Sequence, residues 1–137
     1  MEDRPIVANY ATGCLVAMSV HMFISSLSAL IFPEMYESPM MTGTVYLVLL
    51  LIAAVWEGVL AVGVYLGSGL AYKLAFITVL IMLINVVVGI WDDRTFGYDF
   101  WIQGILSATC IILMLTPQMR EAYKGWSLPS RPAYSIE

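Results

Sequence analysis

Of the 137 residues, 61% are hydrophobic and only 12% are charged, and the mean hydropathy is +0.85. Charged residues make up about a quarter of a typical soluble domain, so this composition excludes an ordinary soluble protein and predicts an integral membrane protein. The net charge of −4 argues against nucleic acid as a partner.

Apolar stretches follow one another along the chain, each close to the ~20 residues that a helix needs to cross a bilayer. We place four of them, at residues 10–32, 44–66, 70–91 and 100–116, followed by a C-terminal tail over 117–137. The short connections favour an up-down order of neighbouring helices. The sequence therefore predicts an all-α transmembrane four-helix bundle that forms a single domain over 1–137.

Turn-forming residues mark the boundaries of these segments. Pro33 and Pro39 lie between the first and second segments, and Gly67-Ser68-Gly69 predicts a tight turn between the second and third. Pro117 is expected to end the fourth helix. The chain after Trp126 has further prolines and no helical period, so we expect it to be unordered by itself.

Basic residues are concentrated at one end of the predicted bundle, on one side of the membrane. Five of the six fall at segment ends on the same side, whereas the two outer connections are acidic. The positive-inside rule then predicts that both termini lie in the cytoplasm, and we expect a prokaryotic cell membrane. The five basic residues are Arg4, Lys73, Arg120, Lys124 and Arg131.

One carboxyl group falls in the middle of an apolar stretch. With a rise of ~1.5 Å per residue, Glu57 lies ~19 Å and His21 ~16 Å from the outer ends of their segments. A charge at that depth is costly, so such a residue is usually neutral, paired or functional. Two interpretations stay open. Glu57 either hydrogen-bonds a polar neighbour such as His21 and fixes helix register, or it serves a proton or ligand.

Two amides add polar positions nearer the outer surface. Asn85 lies ~9 Å deep in the third segment and Gln103 ~5 Å deep in the fourth. A polar track from the outer rim past Gln103 and Asn85 to Glu57 and His21 would suit proton movement or a ligand head group. Alternatively, both amides only form hydrogen bonds between helices.

The chain lacks the residues that metal and haem sites need. A single histidine cannot form a His-rich metal site and supplies only one axial haem ligand. The nine methionines follow no repeated metal-binding spacing, and no nucleophile or nucleotide motif is recognisable. We expect Cys14 and Cys110 to be packing residues. By itself the chain is expected to bind no metal or cofactor and to contribute no catalytic residue.

An acid, two glycines and one base form a pattern over residues 53–85. Glu57 is followed by Gly58 and Gly63, Lys73 follows the Gly-rich turn, and Met82 lies in the next segment. This pattern resembles the DoxX-like family of small four-helix membrane proteins, over about a quarter of the chain. The resemblance implies a redox-associated membrane subunit with Glu57 near a quinone head group or a proton route.

Three functions are compatible with these features. The first is a non-catalytic accessory subunit of a larger membrane complex, of redox or respiratory type, with the lipid bilayer and other membrane subunits as partners. The second is a DoxX-like quinone-linked or small-ligand protein that uses Glu57 and His21. The third is a small proton-coupled transporter built around Glu57.

Overall fold

The computed structural model describes residues 4–32, 43–91, 98–126 and 128–129, and all regular structure in these ranges is helical. The helices are α1 (Ile6–Ile31), α2 (Gly43–Tyr65), α3 (Gly69–Trp91), α4 (Tyr98–Met114) and the short α5 (Pro117–Ala122). Three of them, α1, α2 and α3, are long and apolar enough to cross a membrane, and α4 is a shorter apolar helix. The chain is therefore a helical integral membrane protein.

Each of the four longer helices packs against two of the other three. Helix α1 packs against α2 and α4, and α3 packs against α4 and α2. The inward face of α1 carries Ala8, Ala11, Leu15 and Met18, all completely buried. Small residues at this spacing bring helices close together, as is usual in membrane bundles. Large apolar side chains cover the outer faces, as expected for contact with lipid.

The turn between α2 and α3 forms at the position that the sequence predicts. Gly67 has a φ of 83°, a left-handed conformation that glycine adopts without strain. The Ser68 amide donates to the Gly63 carbonyl and the Gly67 amide to the Val64 carbonyl, which is a Schellman motif. The Ser68 hydroxyl then caps α3 by accepting the Ala71 amide at 3.1 Å.

The C-terminal part contains a short helix that the sequence analysis did not predict. Helix α4 ends at Met114, and Pro117 begins α5. Proline is well tolerated at the first helical position because its missing N–H would have no intrahelical partner there. Helix α1 also begins earlier than predicted, at Ile6. The predictions for Pro33, Pro39 and the acidic connections concern residues that lie outside the described ranges.

Candidate functional site

Glu57 lies in the interior, near the middle of α2. Its side chain is only 1% exposed. Ala54, Glu57, Ala61 and Val64 follow one another at intervals of three and four residues, and all are buried. This spacing defines one face of a helix. The carboxyl is therefore directed into the bundle, away from lipid.

Helix α4 presents a polar face to the same interior. Gln103, Ser107 and Cys110 recur at helical spacing, and Ser107 and Cys110 are fully buried. Cys110 lies close enough to Glu57 and Cys14 to interact electrostatically with both. Ser107 is one helical turn from Cys110, ~4.5 Å along the axis. Glu57 and this row of polar groups on α4 therefore line the same bundle interior.

Several of these buried polar atoms have no hydrogen-bond partner within the described ranges. They are both carboxyl oxygens of Glu57, the hydroxyl of Ser107 and the side-chain oxygen of Gln103. Such an atom costs ~1–3 kcal/mol when it is left unpaired. Native proteins usually pair these atoms with protein groups, water or a ligand. The interior around Glu57 therefore contains several unpaired polar atoms, and the buried hydroxyls of Thr12 and Ser25 on α1 also have no partner within the described ranges.

Both carboxyl oxygens of Glu57 lack a hydrogen-bond partner among the described residues, so the hydrogen bonds expected of a purely structural Glu57 are not formed there. The serine that α1 brings against α2 bonds elsewhere: the Ser19 hydroxyl donates to the Ala54 carbonyl at 2.6 Å. The Ser26 hydroxyl donates to Phe23 within its own helix, also at 2.6 Å. Neither serine therefore fixes helix register through Glu57.

The other sequence-predicted positions divide into two groups. His21 is half-buried and lies between the buried residues Met18 and Ser25 at helical spacing, so it shares the inward face of α1. Gln103 is half-buried, and its amide nitrogen lies 3.4 Å from the Met82 sulfur. Asn85, by contrast, is exposed on the outer surface of α3. The structure thus places His21, Glu57 and Gln103 on inward faces and leaves Asn85 outside.

A second buried polar region lies at the turn end of the bundle, and sequence reasoning missed it. We call Tyr72, Lys73 and Tyr123 the tyrosine clamp. Tyr123 is fully buried, its hydroxyl donates to the Val64 carbonyl at 2.7 Å, and its ring stacks on Tyr72 at 5.1 Å. The Tyr72 hydroxyl donates to the Met114 carbonyl. The clamp therefore joins α2, α3, α4 and the chain after α5.

Lys73 completes the clamp by holding the end of α5. Its ammonium donates to the carbonyls of Tyr123 at 3.4 Å, Lys124 at 3.2 Å and Gly125, and it lies 4.2 Å from the centre of the Trp126 ring. A cation at a helix C-terminus stabilises the unpaired carbonyls there. The sequence signal of this contact was Lys73, the one basic residue directly after the Gly-rich turn.

Four of the five basic residues grouped by the sequence lie at this end of the bundle. Arg4 stacks over the Tyr65 ring at 3.9 Å, beside the turn that precedes Lys73. Arg120 and Lys124 belong to α5 and the residues after it, which the clamp fixes to that turn. Arg131 lies outside the described residues.

Within the described ranges, no three His, Cys, Asp or Glu side chains come together in a way that would hold a metal ion. Both cysteines are free thiols. Comparison of the chain with family models, with curated proteins and with solved structures finds no match. The interpretation of the site therefore depends on its own geometry.

Proposed function

We propose that this protein uses the buried Glu57 to handle a proton or the polar head group of a small amphipathic ligand, such as a quinone, inside the membrane. The observation that carries the proposal is the pair of buried Glu57 oxygens, which have no hydrogen-bond partner in the described chain. The Ser107 hydroxyl and the Gln103 side-chain oxygen, on the inward face of α4, have none there either. The resemblance of residues 53–85 to the DoxX-like family implies the same residue and the same chemistry.

The chemistry of these groups fits that role. A carboxyl removed from water is more stable neutral than ionised, and a neutral carboxyl both donates and accepts a hydrogen bond. Ser107 can also donate and accept, and Gln103 offers a carbonyl oxygen one turn further along α4. The donors among these groups, a neutral Glu57 and the Ser107 hydroxyl, suit a quinone carbonyl, and the Gln103 oxygen suits a head-group hydroxyl. Apolar side chains around such a site suit the ring.

We further infer the arrangement in the membrane. Helix α4 has 17 residues and is ~25 Å long, close to the ~30 Å hydrocarbon core. With α4 as the fourth span, the helices alternate in direction as a four-helix up-down bundle. The basic end then lies in the cytoplasm of a prokaryotic cell, together with both termini. Reporter fusions at each terminus test this orientation.

A second candidate is an accessory subunit of a larger membrane complex, of redox or respiratory type. Trp126 and Leu128 favour it, because both are mostly exposed on the segment that Lys73 holds at the end of the bundle. Large exposed apolar side chains outside the lipid-facing helices suit contact with another subunit. A third candidate, a small proton-coupled transporter, would use the same Glu57.

Ligand binding to the purified chain tests the proposal directly. A short-chain benzoquinone is titrated into the protein in mild detergent, and binding is followed by quenching of tryptophan fluorescence. Glu57→Leu is expected to weaken binding by about tenfold or more, because a buried hydrogen bond to the head group is lost. Glu57→Gln is expected to have an intermediate effect, because its amide can still donate a hydrogen bond.

Asn85→Leu is the matched control, because Asn85 is a polar residue of a spanning helix that lies outside the interior. Equal binding by the wild type and Glu57→Leu would refute the ligand proposal.

Native-gel separation with mass spectrometry then distinguishes the other candidates. An accessory subunit travels with large redox subunits and tolerates Glu57→Gln. A transporter moves substrate alone in vesicles under a proton gradient and loses this activity with Glu57→Gln.

A further inference from the structure

A basic cleft lies at the turn end of the bundle, apart from the Glu57 site. It is an open cleft with a volume of about 300 Å³ between α3, the end of α4 and α5. Three cationic side chains line it, those of Lys73, Arg120 and Lys124. Its remaining walls are aromatic and aliphatic, and they include Phe76 and Leu115.

The charges in the cleft are only partly neutralised. Lys124 forms an ion pair with Glu121 at 2.8 Å. Lys73 bonds only carbonyl oxygens, which are neutral, and neither Lys73 nor Arg120 meets a carboxylate among the described residues. Three positive charges against one negative charge leave the cleft with a net positive potential, which attracts anions.

The shape of the cleft selects among anions. Its basic residues lie at the end of the spanning helices. Phe76 lies one turn further into α3. Leu115 lies at the end of α4 and is 51% exposed. A ligand that fills the cleft therefore contacts cations at one end and lipid-level apolar surface at the other. An anionic phospholipid has this distribution of charge and apolar surface, whereas a soluble phosphate does not.

The geometry points to a binding site for an anionic phospholipid in this cleft, with its phosphate near Arg120 and Lys124 and an acyl chain along Phe76 and Leu115. Basic pockets between membrane helices are known to suit such head groups. Arg120 is the principal phosphate contact, because its fork of N–H donors is exposed and carries no carboxylate partner in the described chain. Lys73 contributes charge while it continues to hold the end of α5.

The test uses the full chain in phosphatidylcholine nanodiscs with an increasing fraction of phosphatidylglycerol. Native mass spectrometry counts the lipids retained by the protein. We expect phosphatidylglycerol to be retained in preference to phosphatidylcholine. Arg120→Gln is expected to reduce that preference about fivefold, the effect of one cation near an anionic head group.

Arg4→Gln is the matched control, because Arg4 is a cation at the same end of the bundle but does not line the cleft. It should leave the preference almost unchanged. Equal losses in the two variants, or no preference in the wild type, would overturn the proposal. Displacement of phosphatidylglycerol by millimolar inorganic phosphate would also overturn it, since the site would then recognise a free anion.

Discussion

The tyrosine clamp and the interior around Glu57 are both buried and polar, but they are paired very differently. The hydroxyls of Tyr72 and Tyr123 and the ammonium of Lys73 all donate to backbone carbonyls. The oxygens of Glu57 and the hydroxyl of Ser107 have no partner among the described residues. A polar network whose hydrogen bonds are all formed stabilises one conformation. Buried polar groups without partners lower stability, and they occur where function requires them. Opposite mutational effects on stability are therefore expected in the two regions.

The largest effect is expected from Tyr123→Ala. This change removes a fully buried ring, its stack on Tyr72 and its hydrogen bond to Val64. Large-to-small changes of buried aromatic residues cost about 3–5 kcal/mol. Thermal unfolding in detergent measures the loss. Tyr10→Ala is the control, because Tyr10 is 64% exposed. Equal losses in the two variants would show that the clamp does not hold the C-terminal segment.

A smaller loss is expected from Gly69→Ala. A Cβ at Gly69 would overlap the backbone carbonyl of Gly125, so the clamped segment must move away from the turn. Overpacking of this kind costs about 1–3 kcal/mol. Gly125→Ala tests the opposite side of the same contact, and a Cβ there meets nothing within 4 Å. Only the Gly69 variant should melt at lower temperature; the reverse order would contradict the close approach.

In the interior, Glu57→Leu is expected to increase stability. The change replaces an unpaired buried carboxyl with an apolar side chain of similar size, which should recover about 1–3 kcal/mol. The free energy of unfolding in mixed micelles measures the gain. Thr109→Val is the control, because the Thr109 hydroxyl is already satisfied by the Ile105 carbonyl at 2.8 Å. A loss of stability in Glu57→Leu would show that the carboxyl has a structural partner, and the contrast with the clamp would fail.

Local patterns in the sequence predict one of these regions better than the other. Glu57 is identifiable because a carboxyl among apolar residues is conspicuous, and the turn at Gly67 is identifiable from its glycines. The clamp depends on contacts between residues about 50 positions apart, such as Lys73 with Lys124, which no local pattern encodes. The exposure of Asn85 likewise depends on how α3 rotates against its neighbours, which an all-apolar helix does not reveal.

The smallest effect concerns Glu121 and Lys124, an ion pair whose side chains are 71–76% exposed. The hydrogen bond from Lys124 and its charge lower the pKa of Glu121, and Glu121 in turn raises the pKa of Lys124. A depressed carboxyl pKa adds stability above its ordinary range, and this stability is lost as pH falls through the depressed value. A raised amine pKa adds stability below its ordinary range, and this is lost as pH rises through the raised value. The ion pair therefore stabilises the fold only between the lowered pKa of Glu121 and the raised pKa of Lys124.

The melting temperature of Glu121→Gln, compared with the wild type, isolates this contribution. The difference should be small near neutral pH, and it should disappear below pH ~3 and in ~1 M salt, because exposed pairs are screened. A difference that survives both conditions would contradict an electrostatic origin. The same variant should bind phosphatidylglycerol more tightly, since Lys124 then has no carboxylate beside it. A slight loss of stability together with stronger lipid binding would mean that Glu121 restrains the cleft's charge and contributes little to holding the fold.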